Sequence, residues 1–120
     1  MVVSNLKGFP RLLSACANSL SGLQIAWKHE EAFRQECLLL LPVTPLALLL
    51  GQNGVEKALL LGSLLIVIIT ELVNTAIEAT IDRIGPEYHE LSKRAKDLGS
   101  AAVMMALALL GIVWILILFK

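Results

Sequence analysis

A chain of 120 residues is long enough for a single domain, and 57% hydrophobic content with a mean hydropathy of +0.76 is too apolar for an ordinary soluble one. Ten Lys and Arg balance ten Asp and Glu, so no net charge argues for a nucleic-acid partner. The charges are bunched in residues 7–11, 28–36 and 82–97 with long apolar runs between them, which is the pattern of an integral membrane protein.

Residues 6–27 come first and read as an amphipathic helix. Leu6, Phe9, Leu13, Cys16, Leu20, Leu23 and Trp27 recur at intervals of three and four, while Ser4, Asn5, Lys7, Arg11, Ser14, Asn18, Ser21 and Lys28 take much of the other side. Too polar to span, this N-terminal segment (residues 1–28) is expected to lie along the membrane interface with Trp27 at headgroup level. A coiled-coil seam is the weaker reading, because strong charge pairing beside the seam is missing. The same residues lack the continuous apolar core of a secretory signal, so insertion is expected to depend on the internal spans. Cys16 and Cys37 form no CxxC pair and no metal-ligand pattern, and read as small apolar fillers in a reduced environment.

Three transmembrane helices are expected, at residues 32–51, 56–81 and 98–119. Pro42 and Pro45 predict a kink in the first, whose Arg34, Gln35 and Glu36 must snorkel or face protein. Gln52-Asn53-Gly54 reads as a tight turn, and 82–97 as a hydrated loop. Basic residues flank that loop and precede the first span, whereas the turn near Asn53 has only Lys57 and the C-terminus only Lys120. The N-terminus and the 82–97 loop are therefore expected on the cytosolic side of a bacterial inner membrane, and the C-terminus on the periplasmic side.

The second span carries the chemistry. On a helix, Glu71, Asn74, Glu78 and Asp82 fall on one face with Thr75 beside them, among Ile66, Ile69, Leu72, Ile77 and Ile81. Asn and Thr also glue helices together in membranes, but carboxylates at membrane depth are costly and are functional candidates by default. Two Glu, an Asn and an Asp on one stripe favour chemistry over glue. At ~1.5 Å per residue, Glu71 lies about 10 Å deeper than Glu78 and about 16 Å from Asp82, so the two glutamates cannot share one metal directly. Glu78, near the cytosolic edge, suits a divalent cation and a phosphate group. Glu71 suits general-base work on a substrate arriving from the lipid.

Glu30 and Glu31 are either a solvated pair at a helix start, where the dipole favours acids, or a second acidic cluster at the cytosolic surface. The 82–97 segment offers Asp82, Glu87, His89, Glu90, Lys96 and Asp97. A lone His89 reads as a surface or capping residue. Phosphoryl transfer needs metal-binding carboxylates, a cation for the moving phosphate and a base for the acceptor hydroxyl. Glu30 with Glu78, Lys96 and Glu71 would fill those roles. The chain has no GxxxxGK[ST] loop and no kinase glycine loop, so a kinase here is of neither common kind.

The run ELVNTAIEATIDRIGPEYHELSKRAKDLGSAAV, with AWKHEEAFRQE upstream, closely resembles the prokaryotic integral-membrane diacylglycerol kinases. The resemblance covers nearly the whole chain, is highly specific through 71–103 and good through 22–36, and is weak in 38–55 and at the C-terminus. It implies an all-α membrane protein, an interfacial helix plus three transmembrane helices in a homotrimeric bundle with composite sites between chains. It implies an ATP-dependent, magnesium-requiring kinase that phosphorylates diacylglycerol to phosphatidic acid. By this resemblance Glu71 is the catalytic base, Asn74 its polar support, and Glu30 and Glu78 the metal-holding carboxylates. Arg11, Asn18, Glu30, Glu78, Glu87, Tyr88, His89, Lys96 and Asp97 match nucleotide-contacting positions. Arg11, Ala15, Ser19, Ala26, Trp27, Ala32, Phe33, Arg34, Gln35, Glu71 and Ser100 fall where the lipid substrate is contacted. Asn18 stands where a tyrosine is familiar, Leu20 where a tryptophan is, His29 where an asparagine is, and Gln24 where an arginine is. These departures bear on nucleotide stacking and the interfacial anchor and leave the residues of the chemistry in place. Relatives of similar build phosphorylate undecaprenol, which is the alternative acceptor. A small proton- or ion-conducting subunit is the alternative of a different class, and it needs none of Glu30, Glu78, Lys96 and Asp97.

Overall fold

The computed structural model describes residues 6–120 as four α-helices: α1 (Gly8–His29), α2 (Glu31–Leu50), α3 (Gly54–Ile84) and α4 (Glu90–Leu118). Ser4 and Asn5, expected on the polar side of the first helix, lie outside the described residues. α2, α3 and α4 are each long and apolar enough to cross a membrane.

The helices are longer than the apolar runs that announced them. With 31 residues α3 is ~46 Å long, and with 29 residues α4 is ~43 Å, against a hydrocarbon layer of ~30 Å. Both overshoot at the end where they meet. The hydrated loop expected over 82–97 is a connection of residues 85–89 only, because charged residues flanking a span continue its helix once they are in water. Around α4's first turns, Lys93–Asp97 (2.6 Å) and Arg94–Glu90 (3.6 Å) are i,i+4 pairs that suit a helix. His89 caps that helix, its Nδ1 accepting from the Leu91 N–H at 3.1 Å, as its reading as a capping residue anticipated. α3 stops at Gly85, whose φ of 151° is open to glycine and strained for other residues, and Pro86 follows it.

The other connections are tighter still. Glu30 alone separates α1 from α2, in an extended conformation (φ −116°, ψ 107°). α2 runs from Glu31 to Leu50 as one helix through Pro42 and Pro45. The expected turn at residues 52–54 is also a helix cap. Asn53 Oδ1 accepts from the Glu56 N–H and Glu56 Oε1 accepts from the Gln52 N–H, both at 2.9 Å, and Lys120 pairs with the same Glu56 carboxylate.

α3 is the central element, packing most extensively on α4 and next on α2. Leu60, Leu64 and Val67, four and three residues apart, are its fully buried side chains. Ala26, Phe33, Leu64 and Ile68 form the shared core, with Cys37, Leu40, Val43, Leu72 and Leu110 packed around it. Trp114 Nε1 of α4 donates to the Leu60 carbonyl at 3.1 Å, and Ser63 Oγ donates to the same oxygen at 3.0 Å, so neither polar group meets the apolar layer unpaired. Only 11%, 28% and 6% of the apolar windows of α2, α3 and α4 are buried within the chain, so most of their apolar surface is left for lipid or for other chains. α1 makes little contact with the rest. Phe9, Leu13, Leu20 and Trp27 are exposed and only Ala26 is buried.

Candidate functional site

The buried stripe of α3 turns polar as it runs toward the overshooting end. Leu60, Leu64 and Val67 continue in steps of four and three to Glu71, Asn74 and Glu78, all half-buried, and then to exposed Asp82. The stripe is thus one face, as the spacing requires. Its expected apolar surroundings are only partly there. Leu72 packs on the core, but Ile66 and Ile69 are exposed on other faces of the helix.

Three carboxylates, Glu30, Glu36 and Glu78, lie within electrostatic reach of Glu71. Glu71 lies within electrostatic reach of Glu78 on its own helix and of Glu30 at the α1–α2 junction. Glu36 of α2, read from the sequence only as a residue that must snorkel or face protein, is repelled by Glu71 and has a buried Oε1 without a hydrogen-bond partner. It is the site residue that sequence reasoning missed, and the available signal was a carboxylate six positions past Glu30 within a span. None of these four takes part in the ion pairs formed among the described residues.

Unpaired hard oxygen donors suit magnesium, which is held by one or two carboxylates together with substrate phosphates rather than by an all-protein cage. Among the described residues no three His, Cys, Asp or Glu side chains converge to hold an ion unaided. Glu30 and Glu78, the carboxylates expected to hold the ion, are both in electrostatic reach of Glu71.

Beside the stripe, a groove of about 530 Å³ runs between α1 and α3. Ser19, Ala26 and Glu30 line one wall, and Leu72, Thr75 and Ala79 the other. An apolar trough with a carboxylate in its wall suits a lipid whose polar end faces Glu30. A second groove of about 620 Å³ between α1 and α2 takes in Trp27 and Phe33 with Gln24 and Cys37. Of the expected lipid-contacting residues, Ser19 and Ala26 line the first groove and Trp27 and Phe33 the second, while Arg11, Ala15, Ala32, Arg34, Gln35, Glu71 and Ser100 line neither. Arg34 donates from Nη1 to the carbonyls of Trp27 (2.7 Å) and Lys28 (3.2 Å), fastening the C-terminal end of α1, where a cation is favourable. Gln35 donates to Glu31 at 3.3 Å. Arg11, Ala15 and Asn18 are exposed on α1, as are Ala32 on α2 and Ser100 on α4, and the Ala15 carbonyl accepts from Ser19 Oγ at 2.9 Å.

Of the expected nucleotide residues, Glu87, Tyr88 and His89 lie at the α3–α4 connection and Lys96 and Asp97 on the first turns of α4, whereas Arg11 and Asn18 lie on α1, Glu30 at its end and Glu78 on α3. Glu87, Tyr88 and His89 line a hollow of about 400 Å³ with Ile84, and Tyr88 also borders a depression of about 520 Å³ with Lys93, Arg94 and Asp97. Lys93 and Arg94 bring positive charge that the sequence reading had used only for orientation. Lys96, expected as the cation for the moving phosphate, is bonded to Asp82 at 3.0 Å, and Asp97 to Lys93 at 2.6 Å.

A family model described as prokaryotic diacylglycerol kinase matches residues 17–118. The diacylglycerol kinase of Escherichia coli (strain K12) is 45% identical over 119 residues, 99% of this chain and 98% of the relative. That of Haemophilus influenzae is 49% identical over 112 residues, covering 93% and 95% of the two chains, and that of Pseudomonas aeruginosa 46% over 111 residues, covering 92% and 90%.

Proposed function

The chain belongs to the prokaryotic diacylglycerol kinase family, and from that premise we propose that it transfers the γ-phosphate of ATP to the free hydroxyl of 1,2-diacylglycerol, giving phosphatidic acid and ADP. The single observation that carries the site assignment is the half-buried Glu71–Asn74–Glu78 stripe, with Glu30 in electrostatic reach of Glu71.

In this reading the lipid enters the α1–α3 groove with its acyl chains toward the apolar layer and its hydroxyl toward the carboxylates. Glu71 accepts the hydroxyl proton as the oxygen attacks the γ-phosphorus. The bond from that phosphorus to the bridging oxygen breaks, and ADP leaves with the electron pair. A base positioned in this way contributes roughly 10²–10⁴ in rate. Magnesium, carried with ATP at Glu30 and Glu78, supplies neutralisation of phosphate charge. Lys96 exchanges Asp82 for a phosphate oxygen, while Arg11, Asn18, Glu87, Tyr88, His89 and Asp97 hold the rest of the nucleotide. Asn74 orients the reacting groups through its amide.

α1 lies in the membrane interface, where its exposed Phe9, Leu13, Leu20 and Trp27 meet the headgroup boundary and its polar face meets water. The N-terminus and the α3–α4 connection face the cytosol, on the ATP side. In the expected homotrimer, neighbouring chains would cover part of the apolar surface that each chain leaves open and complete each site.

The test is a coupled assay of purified protein in mixed micelles with Mg-ATP and either 1,2-diacylglycerol or undecaprenol as acceptor. The reading requires phosphatidic acid from the first. Turnover with undecaprenol alone would move the chain to the polyprenol branch, and no turnover with either would overturn the reading.

A further inference from the structure

Asn74 has one end of its amide sealed. Its Oδ1 is buried with no hydrogen-bond partner, whereas its Nδ2 is not closed off in the same way. The seal is made by Gly99 of α4, which is itself buried. A β-carbon built on Gly99 would collide with Asn74 Oδ1 and sit 3.7 Å from Ile77 Cδ1. The carbonyl oxygen of Asn74 thus occupies the space that a methyl group would take at position 99, against a backbone Cα–H, which is a weak partner for a carbonyl.

An orphaned buried carbonyl is costly, and one that a structure keeps calls for an explanation. The two ends of a primary amide are rigidly opposed. A carbonyl lodged against Gly99 turns the NH₂ away from that glycine, and Asn74 stands between Glu71 and Glu78 on one face of α3. An NH₂ is the end suited to this place, because it donates to carboxylate or phosphate oxygens and a carbonyl would repel them.

We propose that Gly99 is a positioning residue for the phosphoryl transfer. Its missing side chain receives the Asn74 carbonyl and so fixes the Asn74 amide with its NH₂ toward the acidic site. This rests on the kinase reading above. Gly99 touches no substrate and acts only through Asn74. Alanine at 99 displaces the amide, and misplacement of a group by about 1 Å costs on the order of 10²-fold in rate.

The experiment compares wild type, Gly99→Ala, Asn74→Ala and the double variant in mixed micelles with Mg-ATP and diacylglycerol. Gly99→Ala should lower kcat on the order of 10²-fold with the KM for ATP little changed. Asn74→Ala should be similarly slow, and the double variant no slower than Asn74→Ala, because the amide through which Gly99 acts is already gone. Thermal stability lost in Gly99→Ala should return in the double variant, where the methyl has room. Near-normal kcat in folded Gly99→Ala, or a further independent loss in the double variant, overturns the proposal. Should Gly99→Ala not fold, ¹⁵N-asparagine labelling of the wild type decides. The Asn74 side-chain NH₂ resonance, assigned by its loss in Asn74→Ala, should shift when magnesium and a non-hydrolysable ATP analogue are added, and no shift with the nucleotide bound overturns the proposal. An inactive wild type would instead refute the kinase reading and leave the resonance and the stability cycle to judge Gly99 alone.

Discussion

The Lys96 ammonium of α4 meets the Asp82 carboxylate of α3 at 3.0 Å, across the ends of the two helices that extend past the apolar layer. Both side chains are substantially exposed (44% and 69%), and such pairs are worth about 0–1 kcal/mol. Lys96 is therefore held loosely enough to be handed to a phosphate. Asp82→Asn should leave kcat within a few-fold of wild type and lower thermal stability only slightly. Lys96→Met should raise the KM for ATP and cut turnover. Steady-state kinetics of the two variants side by side check this, and equal losses would mean the pair itself is what activity requires.

The base assignment makes a sharper demand. Glu71→Gln keeps the shape and removes the proton acceptor, so turnover should fall on the order of 10²–10⁴-fold. Nucleotide affinity should hardly change, since Glu78 stands about 10 Å further along the helix. Glu71→Asp should be slow as well, but less so. Turnover and equilibrium nucleotide binding are measured on the same preparation. Lost binding in a folded protein would reassign Glu71 to the nucleotide.

For the metal, Glu78→Gln should abolish activity while leaving a folded oligomer, and Glu30→Gln should raise the magnesium requirement or remove activity. A magnesium titration at fixed ATP separates the two effects. Full activity of Glu30→Gln at low magnesium would remove that carboxylate from the ion's shell.

If sites are shared between chains, mixing inactive Glu71→Gln chains with inactive Glu30→Gln chains should restore part of the activity, because some interfaces then collect two intact halves. Verified mixed trimers without any rescue would mean that each chain closes its own site.

On the side of the molecule away from this chemistry, Asn53→Ala should cost about 1 kcal/mol of stability through loss of the helix cap. Thermal unfolding in micelles measures it. Activity per folded protein should be unaffected.

Much of this was legible in the sequence because membrane insertion leaves few options. The three spans follow from apolar length alone, and the face shared by Glu71, Asn74 and Glu78 follows from 3.6-residue periodicity. What hydropathy could not see is where a helix stops once its residues are polar. Asp82 to Ile84 and Glu90 to Asp97 look like loop by composition, yet i,i+4 pairs and the His89 cap support helix up to either side of Gly85. Glu36 was obscured for a different reason. Its meaning lies in a neighbour on another helix, and no spacing within residues 31–50 announces that Glu71 will lie beside it. Asn74 was found by its stripe, but its partner Gly99 carries no side chain to attract notice.

The single extended residue between α1 and α2 has a mechanical consequence. Glu30 is at once the one residue joining α1 to α2 and a carboxylate in electrostatic reach of Glu71, so a change in the angle between those helices also moves the backbone that carries that carboxylate. With α1 in the interface as proposed, whatever bends, thins or crowds the headgroup layer beneath it also acts on the position of Glu30 beside Glu71.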